Sequence, residues 1–341
     1  MNMNKILVTG GLGYIGSHTV VALQQAGFEV FIIDDLSNAQ EKTLERIYEI
    51  THIKPTLSII DLKNKDEVSA FFQSNKIDGI VHFAAHKAVG ESVEKPLMYY
   101  RNNLLGLINL LEAMDDFSVD NLIFSSSCTV YGQADLMPID EHTPLKRPEA
   151  PYGKTKHMGE EIIFDFVNAS KKNAIALRYF NPVGAHESGL IGELPNGIPN
   201  NLIPYITQTA AGIRKSLGIF GNDYETRDGT AIRDYIDVND LADAHVKALN
   251  RLLAQKNKAG LEFYNLGSGT GSTVLEMIKA FEKANNLEIP YEIKERRAGD
   301  IQEAYADYSL AEKELQWKPQ THLEKSMKNA WNFQCNQERN K

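Results

Sequence analysis

Two side chains that could do acid–base chemistry, Tyr152 and Lys156, stand four residues apart near the middle of the chain. On a helix this spacing places both on one face. A free phenol, with a pKa of about 10, is a poor base at neutral pH, but an adjacent ammonium favours the phenolate. Ser127 belongs to a serine run at the end of a predicted strand and could hydrogen-bond a substrate hydroxyl and orient its proton. We predict these three residues as the catalytic set.

This prediction depends on context, because a lone Tyr-x-x-x-Lys pair is common and usually marks a helix-start tyrosine and a solvated lysine. The neighbouring Lys154 would face elsewhere on a helix. Thr129 could assist Ser127, and Cys128 is expected to be a small buried side chain rather than a nucleophile. The context that favours catalysis is a glycine-rich turn near the N-terminus.

The glycine-rich turn follows the first predicted strand and contains Gly10, Gly13 and Gly16. Glycines at this spacing let the backbone turn tightly and approach a pyrophosphate, while the next helix offers its free N–H groups to the phosphates. Asp34 ends the second predicted strand, where a carboxylate accepts hydrogen bonds from the adenosine ribose and repels a 2′-phosphate. No arginine follows Asp34 or Asp35 closely, so the pattern favours NAD over NADP as the cofactor.

Short apolar runs alternate with amphipathic helical stretches through the first half of the chain. Strands are predicted at 6–8, 30–33, 57–60, 79–83, 122–124 and 174–177, and helices at 14–26, 66–72 and 102–114. This alternation predicts an α/β fold with a doubly wound parallel sheet of Rossmann type. After Asn181 the rhythm changes to Gly, Pro and Asn. We predict an NAD-binding domain over 1–180 and a smaller mixed α/β substrate domain over 181–341, with some segments returning to the first domain.

Composition and charge restrict the partners. A formal net charge of -9 over 341 residues argues against nucleic acid or an anionic membrane as the main partner. We expect neither a signal-type segment nor a membrane span, which would need roughly 20 apolar residues. Cys128 and Cys335 cannot build a disulfide framework, so we expect a cytoplasmic protein. His82 and His86 are four apart but on a strand and a loop, so no metal site is predicted.

The Gly-x-x-Gly-x-x-Gly spacing resembles that of the extended short-chain dehydrogenase/reductases. In that superfamily the residue at Asp61, after the third strand, contacts the adenine, and residues 83–87 pass the pyrophosphate and the nicotinamide ribose. Asn102 is predicted to open the next helix. The resemblance implies that NAD is bound by Gly10, Gly13, Tyr14, Ile15, Gly16, Asp34, Asp35, Asn38, Asp61, Leu62, Phe83, Ala84, Lys87, Asn102, Tyr152, Lys156 and Phe180.

Longer strings look like those of the UDP-glucose 4-epimerase family over nearly the whole chain, from Lys5 to about Trp331. They lie at 82–85, 87–92, 124–127, 129–132, 178–186, 197–202, 219–224 and 233–235. Two departures are minor: Cys128 stands in a position often held by alanine, and His86 is one of several variants in its loop.

The family resemblance also implies a substrate site. It consists of Lys87, Ser127, Tyr152, Tyr179, Asn181, Asn201, Leu202, Phe220, Arg233, Arg297, Asp300 and Ala304. Arg233 and Arg297 would clamp the UDP diphosphate, since guanidinium geometry suits paired phosphate oxygens. Asp300 would accept from the uridine ribose. A surface salt bridge is an equally good reading of the two arginines, and Asn201 could lie in a simple turn.

The implied reaction is inversion at C4 of a UDP-hexose without net oxidation. Tyr152 removes the O4 proton while hydride passes from C4 to NAD; the 4-keto sugar then swings over and takes the hydride back on its other face. A nucleotide-sugar 4,6-dehydratase is a weaker alternative, because it needs an acid–base carboxyl pair just before Val130, where this chain has Cys128 and Thr129. A non-catalytic NAD-binding regulator would not need the complete catalytic set.

The resemblance implies a homodimer as well, because members of this family usually pair through two helices that form an intermolecular four-helix bundle. Here these would be the helices around 102–114 and 155–168. Apolar residues predicted to extend beyond the cover of the sheet are Leu104, Leu107, Ile108, Ile163 and Phe166.

Substrate breadth depends on one position in this family, two residues before Ala306-Asp307, which flanks the sugar 2-substituent. A bulky aromatic there excludes an N-acetyl group, whereas a small residue admits it. This chain has Ala304, and the missing ring removes an overlap that would cost on the order of 1 kcal/mol or more. We expect UDP-GlcNAc and UDP-GalNAc to be interconverted as well, unless Tyr305 or a side chain from 195–200 fills the space.

Overall fold

The structure, a computed structural model, describes residues 3–297 and 300–339. The strands are β1 (Lys5–Thr9), β2 (Glu29–Asp34), β3 (Thr56–Ile59), β4 (Gly79–His82), β5 (Asn121–Ser125), β6 (Asn173–Tyr179), β7 (Asn181–Val183), β8 (Leu217–Phe220), β9 (Ile232–Asp237), β10 (Leu261–Leu266), β11 (Gly271–Thr273), β12 (Tyr291–Lys294) and β13 (Glu303–Ala304). The α-helices are α1 (Tyr14–Gln25), α2 (Lys42–Thr51), α3 (Lys65–Ser74), α4 (Val89–Glu94), α5 (Pro96–Asp116), α6 (Pro151–Ser170), α7 (Leu202–Ala210), α8 (Val238–Leu253), α9 (Val274–Asn285), α10 (Ser309–Leu315) and α11 (Leu323–Arg339). A short 3-10 helix, Cys128–Tyr131, follows β5.

The main sheet has seven strands in the order β10-β6-β5-β4-β1-β2-β3, and every neighbouring pair is parallel. From β1 the chain winds outward through β2 and β3, then returns to build β4, β5 and β6 on the other side. The predicted α/β fold with a doubly wound sheet is therefore confirmed. Such a sheet opens a crevice where the winding reverses, outside the carboxyl ends of the strands.

Helices cover both faces of this sheet because its strands are apolar on both sides. Along β1, Ile6 and Val8 face a core formed with α1 and α8, whereas Leu7 faces a second core formed with α3, α5 and α6. All three side chains are fully buried. Burial on both faces is typical of parallel sheets and explains the continuous apolar run in the sequence.

A smaller unit follows β6 along the chain. In it, β9 pairs with β7, β11 and β13, and β8 pairs with β12. Its apolar core lies between α7, α9 and α11 and includes Ile206, Met277 and Phe281. The strand β10 leaves this unit and joins the edge of the main sheet beside β6. The domain boundary drawn after residue 180 stays a prediction. No helix in the described ranges is long and apolar enough to cross a membrane.

Two local predictions are wrong. Asn102 does not open a helix: α5 begins at Pro96, whose missing N–H is harmless in a first helical turn. Leu107 and Ile163 do not extend beyond the cover of the sheet, because they are 1% and 0% exposed in the core beneath α5 and α6. Both helices carry apolar residues on more than one face, so periodicity does not reveal which face the sheet covers. Ile108 is exposed.

Candidate active site

A cleft of about 450 Å³ opens at the carboxyl ends of the main-sheet strands and extends to the smaller unit. All the residues predicted to bind NAD line it. The predicted substrate residues that line it are Lys87, Ser127, Tyr152, Tyr179, Asn181, Asn201, Arg233, Asp300 and Ala304. Leu202, Phe220 and Arg297 are not part of this lining. The fold thus brings most of the predicted site into one cavity.

The glycine turn between β1 and α1 is packed too closely for larger residues. A Cβ on Gly16 would lie 2.1 Å from the Gly10 carbonyl oxygen, and one on Gly10 would lie 2.8 Å from the Ala84 nitrogen. Gly10 also has a φ of 69°, in the left-handed region that favours glycine. Gly13 caps α1, so the first N–H groups of that helix have no intrahelical acceptor. This cradle fits the pyrophosphate of a dinucleotide.

Asp34 is held rigidly at the end of β2. Its side chain is 6% exposed, and its two oxygens accept hydrogen bonds from the Leu12 and Leu36 amides, each at 3.0 Å. Burial raises the pKa of this carboxyl, and the two amide donors oppose that shift. The ribose-binding role predicted for Asp34 stays a prediction, and its place in the cleft is compatible with it.

Lys63 also lines the cleft, although the sequence analysis did not single it out. Its ammonium lies 3.0 Å from an Asp61 oxygen and donates to the Asn102 side-chain oxygen at 2.8 Å. The signal available in the sequence was its position directly after Asp61 and Leu62. Through these two contacts Lys63 joins Asp61 and Asn102, both of which the family resemblance assigned to the cofactor.

The helix α6 presents both acid–base candidates in its first two turns. Pro151 occupies the first helical position, so Tyr152 and Lys156 follow on one face. The Lys156 ammonium donates to the Ser125 carbonyl oxygen at 2.6 Å and lies 6.0 Å from the centre of the Tyr152 ring. Gly153 lets the helix approach the segment after β5, since a Cβ there would meet Thr129 at 3.2 Å.

Ser127 lies between β5 and the 3-10 helix, in the segment that α6 contacts. Its backbone is extended, and its hydroxyl oxygen accepts from the Thr129 amide at 3.2 Å and the Thr129 hydroxyl at 3.0 Å. A hydrogen bond from Ser127 also acts on the Tyr152 phenol. Ser127, Tyr152 and Lys156 therefore form one constellation in the cleft, in which Ser127 and Lys156 are buried and Tyr152 is partly exposed.

The side chains of the protein do not by themselves lower the pKa of the Tyr152 phenol. Burial raises the pKa of Tyr152 to about 12, and the hydrogen bond from Ser127 only partly opposes this. Burial lowers the pKa of Lys156 to about 8, against the nearby charge of Glu160. The expected depression of the phenol pKa by Lys156 is therefore not produced by the chain alone, because desolvation of the phenolate is the larger effect.

Two arginines converge on one carboxylate at the substrate side of the cleft. Arg233 on β9 donates to Asp300 at 2.7 Å, and the Arg297 guanidinium lies 3.6 Å from the other Asp300 oxygen. Arg297 is 58% exposed and stacks 4.3 Å above the Phe220 ring, so Phe220 supports the arginine rather than lining the cavity. Leu202 begins α7 and packs into the core of the smaller unit.

Glu193 is another acidic residue beside predicted substrate residues, and it was not predicted from the sequence. It accepts from the Lys87 ammonium at 2.8 Å and from the Asn201 amide at 2.6 Å. Its signal in the sequence was weak: one acidic residue in a loop rich in Gly, Pro and Asn. Two groups assigned to the substrate thus share an anionic partner contributed by the chain.

The wall beside the sugar position contains Tyr179 and Ala304. The Tyr179 and Ser125 hydroxyls are hydrogen-bonded, and burial raises the pKa of Tyr179. Ala304 on β13 is 5% exposed and stands opposite Arg233 in the strand pairing. The Tyr305 ring lies beside Gly271, where a Cβ would meet it at 3.2 Å, and is not part of the cleft lining. Tyr305 therefore does not fill the space that Ala304 leaves.

The doubly wound sheet, the glycine turn and the Ser–Tyr–Lys set in the cleft define a class, the NAD-binding short-chain dehydrogenase/reductases. A family model described as GDP-mannose 4,6 dehydratase matches residues 7–330, and a UDP-glucose 4-epimerase of Haemophilus influenzae is 52% identical over 332 residues, 97% of each chain. The chain belongs to the family of that model and, within it, to the UDP-glucose 4-epimerases of the extended branch.

Two solved structures match over nearly their full length. A UDP-glucose 4-epimerase from Stenotrophomonas maltophila, with bound NAD and formylated UDP-arabinopyranose, is 46% identical with a TM-score of 0.96, covering 100% of both chains. One from Bifidobacterium longum, in complex with NAD+ and UDP, is 45% identical with a TM-score of 0.94, covering 98% of both chains. The predicted family is confirmed.

Proposed function

We propose that this protein inverts C4 of UDP-hexoses with NAD as its cofactor, interconverting UDP-galactose and UDP-glucose through a transient 4-keto sugar. The observation that carries the proposal is the single cleft that unites the glycine turn, the catalytic set and the Arg233–Asp300 pair. Identity of about one half to UDP-glucose 4-epimerases over 97% of the chain supports it.

The cofactor is NAD, and the cradle formed by Gly10, Gly13 and Gly16 would hold its pyrophosphate. When bound, NAD would supply reversible hydride transfer at C4, and its positive nicotinamide would favour the Tyr152 phenolate. Because the reaction has no net oxidation, the purified protein is expected to carry NAD and to need none added.

Within the chain, Tyr152 would accept the O4 proton and Ser127 would hydrogen-bond the same hydroxyl. Lys156, whose pKa burial lowers only to about 8, retains enough ammonium character at neutral pH to stabilise the phenolate. Arg233 and Arg297 would release Asp300 to take the diphosphate, while Asp300 accepts from the uridine ribose. Firm anchoring of the diphosphate leaves the sugar free to turn over.

A dehydratase reaction is not favoured. It needs carboxyl groups directly before Val130, whereas the chain places a thiol and a hydroxyl there. Burial raises the pKa of the Cys128 thiol to about 12, and the Thr129 hydroxyl donates to Ser127. Neither group can replace a carboxylic acid and carboxylate in the elimination of water.

We further propose that the sugar pocket admits a 2-N-acetyl group. Ala304 lies in the cleft wall without a ring, and the Tyr305 ring packs beside Gly271, away from the lining. The enzyme would then interconvert UDP-GlcNAc and UDP-GalNAc in addition to the plain hexoses.

A homodimer formed through α5 and α6 is proposed from their outer surface. Large apolar residues exposed on these helices are Leu97, Leu105, Ile108, Met158 and Phe164. Exposed apolar residues on two helices that pack against each other are compatible with an oligomer interface. Light scattering at micromolar concentration should give the mass of two chains; the mass of one chain would contradict the proposal. A cytoplasmic location stays a prediction.

The function is tested by incubating the purified protein with UDP-galactose and identifying the products by NMR. UDP-glucose is the expected product, without release of NADH. Formation of a stable 4-keto-6-deoxy sugar would identify a dehydratase instead. Absence of turnover despite bound NAD would favour a non-catalytic NAD-binding protein.

A further inference from the structure

Behind the catalytic set lies a buried ion pair, Glu160–Arg178, that makes no contact with the cleft. Glu160 stands on α6 one helical turn after Lys156, and both partners are nearly fully buried. Arg178 on β6 donates through Nε at 2.9 Å to Oε1 of Glu160 and through Nη2 at 2.7 Å to Oε2. Such a bidentate pair is strong and fixes the relative orientation of its two side chains.

Each partner also contacts the segment that carries Ser127. The Ser126 hydroxyl donates to Glu160 at 2.5 Å. The remaining Arg178 nitrogen, Nη1, donates to the Tyr131 hydroxyl at 3.1 Å, and the guanidinium lies 5.0 Å from the Tyr131 ring centre. Tyr131 ends the 3-10 helix that Ser127 caps. The ion pair therefore clamps this segment at both of its ends.

Stability by itself is a weak reason for burying such a pair. Two charges lose their hydration, and apolar side chains of similar volume are often as stabilising or more so. The contacts of Glu160 and Arg178 join α6, which carries Tyr152 and Lys156, to the end of β5, which carries Ser127. What the pair adds is a defined distance between these catalytic elements.

We propose that the Glu160–Arg178 pair is a positioning device that holds Tyr152 and Lys156 in register with Ser127. The inference rests on the proposed epimerase function and assigns it two residues beyond the catalytic set. Glu160 also opposes the lowering of the Lys156 pKa by burial, so its charge helps to keep an ammonium beside the phenol.

The chain contains a matched control, the ion pair Arg251–Glu262. It is also bidentate, at 2.7 and 3.1 Å, and its side chains are 7% and 9% exposed, slightly more than those of the Glu160–Arg178 pair. It joins α8 to β10 of the same sheet, and neither residue lines the cleft. Loss of this pair should lower folding stability, as loss of the Glu160–Arg178 pair should. It should not displace α6 or the segment after β5, which carry the catalytic set.

The experiment compares kcat, KM and Tm of the wild type, Glu160→Gln and Glu262→Gln. Both substitutions should lower Tm. Glu160→Gln should reduce kcat by about thirtyfold with KM within about twofold, because small displacements of reacting groups are costly. Glu262→Gln should keep kcat within about twofold. A Glu160→Gln enzyme with normal kcat overturns the inference, whereas an inactive wild type overturns the proposed function.

Two further variants keep the test decisive if Glu160→Gln does not fold. Ser126→Ala removes one hydroxyl contact to Glu160 and should lower kcat by about fivefold, with a smaller fall in Tm than Glu160→Gln causes. The double variant with Glu160→Met and Arg178→Met replaces both charges and should recover Tm but not kcat. A stable double variant with wild-type kcat, or a Ser126→Ala enzyme with wild-type kcat, contradicts a positioning role.

Discussion

In the cofactor half of the cleft, the glycine turn and Asp34 are fixed by backbone and by burial, although Asp61 pairs with Lys63. The glycine turn is held by contacts that exclude a Cβ, and Asp34 is held by two amide donors. In the substrate half, the charged groups pair with each other: Arg233 binds Asp300, and Lys87 binds Glu193. A ligand at the glycine turn and Asp34 meets groups that are already held in place. A ligand that binds Arg233 or Lys87 must first displace Asp300 or Glu193.

This difference suits a cofactor that stays and a substrate that leaves. Hydrogen-bond donors that are already in position need little reorganisation, so less of the free energy of cofactor binding is lost. Breaking the internal pairs at Arg233 and Lys87 consumes part of the binding energy of a UDP-sugar. The four predictions below test whether the two halves are as separate as this comparison implies.

The largest effect is expected from Tyr152→Phe, which keeps the packing of the ring and removes the proton acceptor. Turnover should fall by roughly two to four orders of magnitude. Binding of UDP, measured by calorimetry, should barely change, because its contacts lie on Arg233 and Arg297. Near-normal turnover would remove Tyr152 from its assigned role.

Gly16→Ala tests the cofactor half alone. The new Cβ would lie 2.1 Å from the Gly10 carbonyl oxygen, so the turn must shift away from its present position. We expect NAD affinity to fall by about a hundredfold, a typical scale for an overpacked site. The matched control is Gly90→Ala, because a Cβ on Gly90 meets nothing within 4 Å. The measurement is the amount of NAD released on denaturation of each purified variant. Equal NAD content in Gly16→Ala and Gly90→Ala would contradict a rigid cradle.

Arg233→Gln tests the substrate half. Removing a charged donor should weaken UDP binding by roughly thirtyfold, about 2 kcal/mol, with bound NAD unaffected. Arg297→Gln should cost only about threefold, since that side chain is 58% exposed and solvent weakens its interactions. Calorimetric titration with UDP separates the two. Loss of NAD from Arg233→Gln would show that the halves are coupled.

The smallest effect is a change of selectivity. Ala304→Tyr places a ring in the cleft wall and should suppress turnover of UDP-GlcNAc about tenfold more than that of UDP-glucose, through steric overlap. The measurement compares kcat/KM for both sugar pairs in the wild type and the variant. A wild type that does not turn over the N-acetyl sugars, or a variant that loses both pairs equally, contradicts the pocket assigned to Ala304.

Much of the cofactor half could be predicted from the sequence because its signals are local. A glycine spacing after an apolar strand specifies a turn, and four residues between Tyr152 and Lys156 specify one helix face. The alternation of strands and helices similarly specified the doubly wound sheet. Some later segments were expected to return to the first domain, but β10 was not identified as the strand that joins this sheet, since it follows the region where the strand–helix rhythm is lost.

The sequence determined which groups this protein has that could do chemistry: a glycine-rich turn, a phenol four residues from an ammonium, and two arginines. Only the tertiary structure decided their partners and their proton affinities. Glu193 meets Lys87 across 106 residues of chain, and burial sets the pKa of Tyr152 at about 12. The reason is physical: residue type and spacing act within one element, whereas desolvation and ion pairing depend on what the fold brings next to each charge.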